Sequence, residues 1–235
     1  MRPIAYDVER PGVAKMENLF EHIYVNNIWG RNTESKSGPG SSLSYTTNIR
    51  QEIVHLLNKA DIKTFFDAPC GDFNWMKAVE FPQSVRYIGG DVSPSLIADV
   101  TESYASDQRS FMVFNITSDV FPKADVWFCR HCFFHLPYVA ILSALSRFAA
   151  SEIPLLFAST DINVGGFDNT NDITVLARGG FRFLDLFAPP FELPRDVLFW
   201  AADCVYPDPR REMCVWTRQQ VANALPAMWA KIMAS

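Results

Sequence analysis

The chain has 235 residues, enough for one ordinary domain with a substantial core. Hydrophobic residues make up 49% and charged residues 20%, a globular balance that excludes a disordered chain. The net charge of −5, with no long run of like charges, argues against a protein that grips a phosphate backbone, so no nucleic-acid partner is expected.

Val13 to Asn27 places Met16, Leu19, Phe20 and Ile23 at helical spacing. Trp29-Gly30 then opens a polar stretch, Ser35 to Ser42, that reads as a solvated linker. A second amphipathic helix follows, with Ile49, Ile53, Leu56 and Leu57 on one face and Thr46 or Thr47 as N-cap. From Lys63 the texture changes to short apolar runs: Thr64–Ala68, Val85–Gly89, Phe111–Ile116, Val126–Cys129 and Leu155–Ser159. These read as strands buried on both faces. Helical patterns lie between them at Asn74–Glu80, Pro94–Tyr104 and Tyr138–Ala150. The alternation predicts a doubly wound α/β domain with a mostly parallel sheet. Val197–Cys204 and Met213–Thr217 flank Pro207-Asp208-Pro209 and read as a hairpin that adds an antiparallel edge. Residues 1–60 form an N-terminal helical cap with a covering loop, and residues 61–235 form the core.

In such a sheet, ligands bind beyond the carboxyl ends of the strands, at the switch point of strand order. The first strand runs into Asp67-Ala68-Pro69-Cys70-Gly71-Asp72. Pro69 and Asp72 break the Gly-x-Gly-x-x-Gly pyrophosphate cradle, which sets NAD aside. A second carboxylate there suits a cationic ligand. Asp91 ends the next strand 24 residues after Asp67, where a carboxylate accepts both hydroxyls of a ribose. Asn115, at the third tip, either reads an adenine edge or is a turn residue.

The fourth strand delivers Arg130-His131-Cys132-Phe133-Phe134-His135. Proton removal from a hydroxyl needs a base near the working pH, and histidine suits this without a large shift. His135 reads equally as that base or as a helix-entry residue bonded to backbone. His131 acts beside it or orients its neighbours. After the fifth strand, Asp161, Asn163, Asn171 and Asp172 form a polar loop suited to gripping a polar acceptor, although loops this polar are usually only solvated.

The three strand-tip motifs, Asp67 to Asp72, Gly90-Asp91 and Asn115, resemble those of class I S-adenosylmethionine-dependent methyltransferases. The resemblance spans about Thr64 to Ser159. It departs from the usual pattern in Pro69 and in Asn115, where an acid is frequent. It implies a Rossmann-like seven-stranded sheet with a C-terminal antiparallel hairpin, and S-adenosylmethionine as cofactor. By it, Trp29, Gly38, Asp67, Ala68, Pro69, Cys70, Gly71 and Trp75 are cofactor-binding, with Trp29 and the Ser37–Ser41 loop closing on the amino-acid end. Asp91, Val92, Asn115, Ile116 and Arg130 complete the site. A narrower likeness in Trp29-Gly30, Ser37 to Ser41, Asp67 to Met76 and Ala188 to Pro194 is to a poorly characterised bacterial group. That group is similar in layout to enzymes that modify glycans and small metabolites.

The expected activity is therefore methyl transfer to a hydroxyl of a small polar metabolite or sugar. The rivals are an amine or protein acceptor and a non-catalytic partner subunit. The fourth tip lacks the Asn/Asp-Pro-Pro-aromatic turn usual in methyltransferases of nucleic-acid bases. Cys129 and Cys132 have the spacing of a redox or zinc pair, but Cys70, Cys204 and Cys214 supply no second close pair. Free thiols and no metal are expected. No stretch approaches the ~20 apolar residues of a membrane span and the N-terminus has no signal-type apolar region, so a cytoplasmic location is expected.

Overall fold

The computed structural model describes residues 13–171, 179–204 and 210–234. Seven strands form one sheet: β1 Thr64–Asp67, β2 Arg86–Asp91, β3 Arg109–Val113, β4 Val126–Cys129, β5 Leu155–Asp161, β6 Phe199–Ala202 and β7 Arg211–Thr217. Their order is β3-β2-β1-β4-β5-β7-β6. The first five pair in parallel, and β7 runs antiparallel between β5 and β6. The helices are α1 Val13–Val25, α2 Thr47–Lys59, α3 Pro94–Tyr104, α4 Tyr138–Ala150 and α5 Arg218–Ala234. The Pro207-Asp208-Pro209 turn and Asp172 lie outside the described residues.

Strand alternation sends successive side chains to opposite faces. On one face Phe66, Trp127, Leu156 and Trp216 pack against α4 and α5. On the other Phe65, Phe128, Phe157 and Val215 pack against α2 and α3. Helix α2 thus forms part of a core layer, and the covering segment ends before it. Local chemistry sets several boundaries. The Ser93 hydroxyl accepts a hydrogen bond from Leu96 N at 3.2 Å while Pro94 occupies the first turn of α3. Thr217 and Gln220 exchange side-chain and backbone bonds of 3.1 and 2.8 Å, a capping box that opens α5.

Three expectations change. Thr46 does occupy the N-cap of α2, but its hydroxyl donates back to Ser42 O at 2.8 Å and does not cap. The segment 74–80 holds only a 3₁₀ turn, Met76–Ala78. Gly71 and Phe73 both take left-handed backbone, so the chain reverses before a helix can start. The apolar spacing there instead buries Trp75, Met76 and Val79. Finally, β3 is not buried on both faces. It is the sheet's edge, which leaves Met112 and Val113 exposed.

Candidate active site

The strand order reverses direction between β1 and β4, and a cavity of about 560 Å³ opens at the carboxyl ends of these strands and of β2. Helix α1 and the loop 28–45 cover it. The cover is fastened by polar contacts. Glu21 accepts hydrogen bonds from the hydroxyls of Ser93, at 2.5 Å, and Ser95, at the N-terminus of α3. Tyr24 donates its hydroxyl to Asp99 at 2.8 Å. Asp72 accepts from the Ser35 hydroxyl at 2.9 Å and from Lys36 N at 2.7 Å, and its own N–H donates to Ser37 Oγ at 2.9 Å. Its carboxylate therefore ties down the covering loop and does not face a ligand. Gly71, at φ +56°, lies so close that a Cβ would meet Ser37 Oγ at 2.6 Å.

Two carboxylates stand on one wall. Asp67 is buried and accepts from the Tyr87 hydroxyl at 2.6 Å. Burial pushes its carboxyl up to about 8, against the effects of Tyr87 and Arg130. Asp91 accepts from Gly71 N at 3.2 Å and Ser93 N at 3.1 Å, yet burial still raises it to about 6. Pro69, Cys70, Gly71 and Trp75 line the cavity beside them. Ala68 does not. Its N–H donates to Phe128 O at 3.0 Å and its carbonyl accepts from Trp127 Nε1 at 2.8 Å, so it belongs to the sheet. At the far end, Val92, Asn115 and Ile116 line the wall. Asn115 donates through Nδ2 to Glu17 at 2.5 Å, and its Oδ1 accepts from Thr117. Trp29 and Gly38 line the cover; Trp29 donates its Nε1 to Gly179 O at 2.8 Å.

The β4 tip carries a paired charge system. Arg130 donates to both oxygens of Asp203, at 2.5 and 3.2 Å, with its guanidinium against the Tyr45 and Trp75 rings. Burial raises the Asp203 carboxyl, but Arg130 and His131 outweigh it and hold it well below the usual carboxylate range. His131 Nε2 lies 2.6 Å from Asp203 Oδ2, the oxygen that also accepts from Arg130 Nη2. Asp203 is ionised, so Nε2 carries the proton and Nδ1 is the open nitrogen. That nitrogen faces Gly40, where a Cβ would come within 2.7 Å.

His135 is oriented in the opposite sense. Its Nδ1 lies 2.8 Å from Gly180 O, which can only accept, so Nδ1 is protonated and Nε2 holds the free lone pair. The ring stacks on Trp29 at 4.7 Å and meets Phe134 edge-on at 4.6 Å. Burial lowers His131 to about 3 and His135 to about 4, with Arg130 adding to the first and Arg211 to both. Neither keeps the near-neutral value that histidine has in water. Both are neutral acceptors at physiological pH.

The polar loop after β5 is engaged elsewhere. Asp161 is buried, accepting from Arg211 Nε and Leu184 N at 2.8 Å each. Asn163 accepts from the N–H groups of Gly165 and Gly166 in a local turn. Asn171 accepts from Tyr138 N at 2.9 Å and so caps α4. None of the three lines the cavity. Residues that do, and that sequence reasoning missed, include Phe20, Tyr45, Phe181 and Arg211, with Asp203 behind His131. Only Phe20 left a local signal, as part of the apolar stripe of α1. Asp203 lies 73 residues from Arg130, beyond any spacing rule.

No protein-family model and no curated protein matches the chain. Solved structures do. The magnesium protoporphyrin IX methyltransferase of Synechocystis PCC 6803, with bound S-adenosylmethionine, is 12% identical. Its match covers 91% of this chain and 100% of that one, with a TM-score of 0.56. The N-methyltransferase NodS of Bradyrhizobium japonicum WM9, in complex with S-adenosyl-L-homocysteine, is 12% identical over 86% and 97% of the two chains, with a TM-score of 0.56. Mitomycin 7-O-methyltransferase MmcR gives 15% identity, 85% and 67% coverage, and a TM-score of 0.50. The fold is that of the class I S-adenosylmethionine-dependent methyltransferases.

Proposed function

We propose that the protein is an S-adenosylmethionine-dependent methyltransferase acting on a hydroxyl of a small molecule. The observation that carries this is the pair Asp67 and Asp91 on one cavity wall of this fold, both pushed toward the protonated form by burial. A cation there restores the ionised carboxylates. S-adenosylmethionine fits, because it offers an ammonium, a sulfonium and a ribose diol. Asp91 would accept the ribose hydroxyls, Asp67 and the backbone at Gly71 would face the amino-acid end, and Val92, Asn115 and Ile116 would bound the adenine.

When bound, the cofactor supplies an electrophilic methyl group on sulfur. The chain's own work is to orient, to exclude water and to take a proton. Arg130 and Asp203 hold His131 in one tautomer. Gly180 O holds His135 with Nε2 open, so that nitrogen is the proton acceptor for the attacking hydroxyl. Trp29 and Phe20, in edge contact at 5.9 Å, cover that end of the cavity.

Calorimetry tests the reading. S-adenosylmethionine and its demethylated product should bind in the micromolar range or tighter, about −8 kcal/mol or stronger. Asp91→Ala should weaken both by at least about tenfold, since bonds to a charged group are worth roughly 1.5–3 kcal/mol. Absence of heat with folded protein, together with NAD binding, would overturn it.

A further inference from the structure

The rings around His135 form a continuous wall. Trp29 stacks on the imidazole, Phe134 lies edge-on to it, and Phe20 and Phe181 flank it at centroid distances of 6.5 and 6.4 Å. Phe181, which lines the cavity, is 53% exposed, and Phe183, outside the lining, is 38% exposed at a ring separation of 6.1 Å. Core filling does not explain large rings left in water at a cavity mouth.

The polar groups nearby are mostly taken. Trp29 Nε1 binds Gly179 O, and Arg211 Nε binds Asp161 while its guanidinium lies 4.6 Å from the centre of the Phe134 ring. The side chains of Asp161, Asn163 and Asn171 bond to the protein itself. Among the rings that flank it, His135 Nε2 is the open polar atom in the described residues; His131 Nδ1 and the outer nitrogens of Arg211 lie at the edge of the wall, beside Phe134. A sugar would bring several hydroxyls to this surface and leave most of them without partners. A flat arene with one hydroxyl matches it ring for ring.

Resting on the methyltransferase reading, we infer that the acceptor is a hydroxyarene, seated against Phe20, Trp29, Phe134 and Phe181 with its hydroxyl donating to His135 Nε2. The ring oxygen forms its bond to the methyl carbon as the carbon–sulfur bond breaks, with the electron pair staying on sulfur. The hydroxyl proton passes to Nε2 and from there to solvent. The acidity agrees. A phenolic hydroxyl ionises near 10, whereas an aliphatic one lies closer to water at about 15.7. A histidine held neutral to about pH 4 is a weak base, suited to the more acidic of the two.

The test titrates the protein saturated with S-adenosylhomocysteine with catechol, naphthol and hydroxyquinoline, and with methyl glucoside as the polar control. Calorimetry should show at least one hydroxyarene binding and no heat from the glucoside. Phe20→Ala and Phe181→Ala should each weaken that hydroxyarene by about tenfold, the loss of one ring contact. Labelled S-adenosylmethionine should then mark the bound arene, and His135→Ala should bind it but methylate it about 10²–10⁴-fold more slowly. If S-adenosylhomocysteine binds and no hydroxyarene does, or the glucoside binds more tightly, the inference falls and the methyltransferase reading stands. Unchanged affinity in both phenylalanine variants also overturns it. If S-adenosylhomocysteine does not bind, both fall.

Discussion

The two halves of the sheet handle buried charge in opposite ways. At the tips of β1 and β2, Asp67 and Asp91 lack a direct cationic partner among the described residues, and burial lifts them to about 8 and 6. Where β4, β5 and β6 end and β7 begins, Asp203 pairs with Arg130 at 2.5 Å and Asp161 with Arg211 at 2.8 Å. The first half leaves its carboxyl groups without a fixed cation, held toward their neutral form by burial. The second is neutralised internally, and its paired charges fix imidazoles that are themselves neutral. Burial alone therefore does not distinguish the two halves; the presence or absence of a fixed cation does.

The largest effect should come from breaking the paired half. Asp203→Ala leaves Arg130 buried without its carboxylate, which typically costs about 3–5 kcal/mol. Chemical denaturation should show that loss, and Arg130→Met combined with Asp203→Leu should recover most of it. A loss below about 1 kcal/mol would mean the pair is not the keystone of this half.

His135→Ala should lower turnover by about 10²–10⁴ while affinity for S-adenosylhomocysteine holds. Turnover at saturating cofactor should stay level from about pH 6 to 8, because neither histidine titrates in that window. A histidine limb near neutrality in the wild-type profile would show that burial does not hold these rings neutral.

The open half predicts a pH dependence of binding. Asp67 has a folded value raised above the ordinary carboxylate range, so its contribution to stability is present at low pH. That contribution is lost as pH rises from about 4 through about 8. A cationic ligand favours the ionised form, so affinity for S-adenosylmethionine should rise with pH until about 8. The slope can reach about tenfold per unit. Calorimetry in two buffers of different ionisation heat should register proton release on binding, and Asp67→Asn should abolish it. Proton uptake instead would reverse the assignment.

The smallest effect sharpens the contrast. Asn171→Ala removes the acceptor for Tyr138 N at the start of α4 and should cost about 1 kcal/mol, as lost caps do. Affinity for any acceptor should not change. A large rise in acceptor KM would return the loop to the binding site.

The sequence by itself determined the sheet, the boundaries of α3, α4 and β4, and the positions of Asp67, Asp91 and Asn115 at strand tips. These follow from short continuous apolar runs, helical spacing and turn chemistry, which act over a few residues. It did not determine the short 3₁₀ turn after β1 or the edge exposure of β3. The first depends on positive φ at Phe73 and the second on strand order. Nor could it decide which polar groups face the cavity. Asp72 turns to a loop 36 residues earlier, Asp161 meets Arg211 through the antiparallel register of β5 and β7, and His135 is aimed by a carbonyl 45 residues later. Whether a buried charge is open or paired depends on what strand order brings beside it, and that partner lies too far along the chain for any local pattern to contain it.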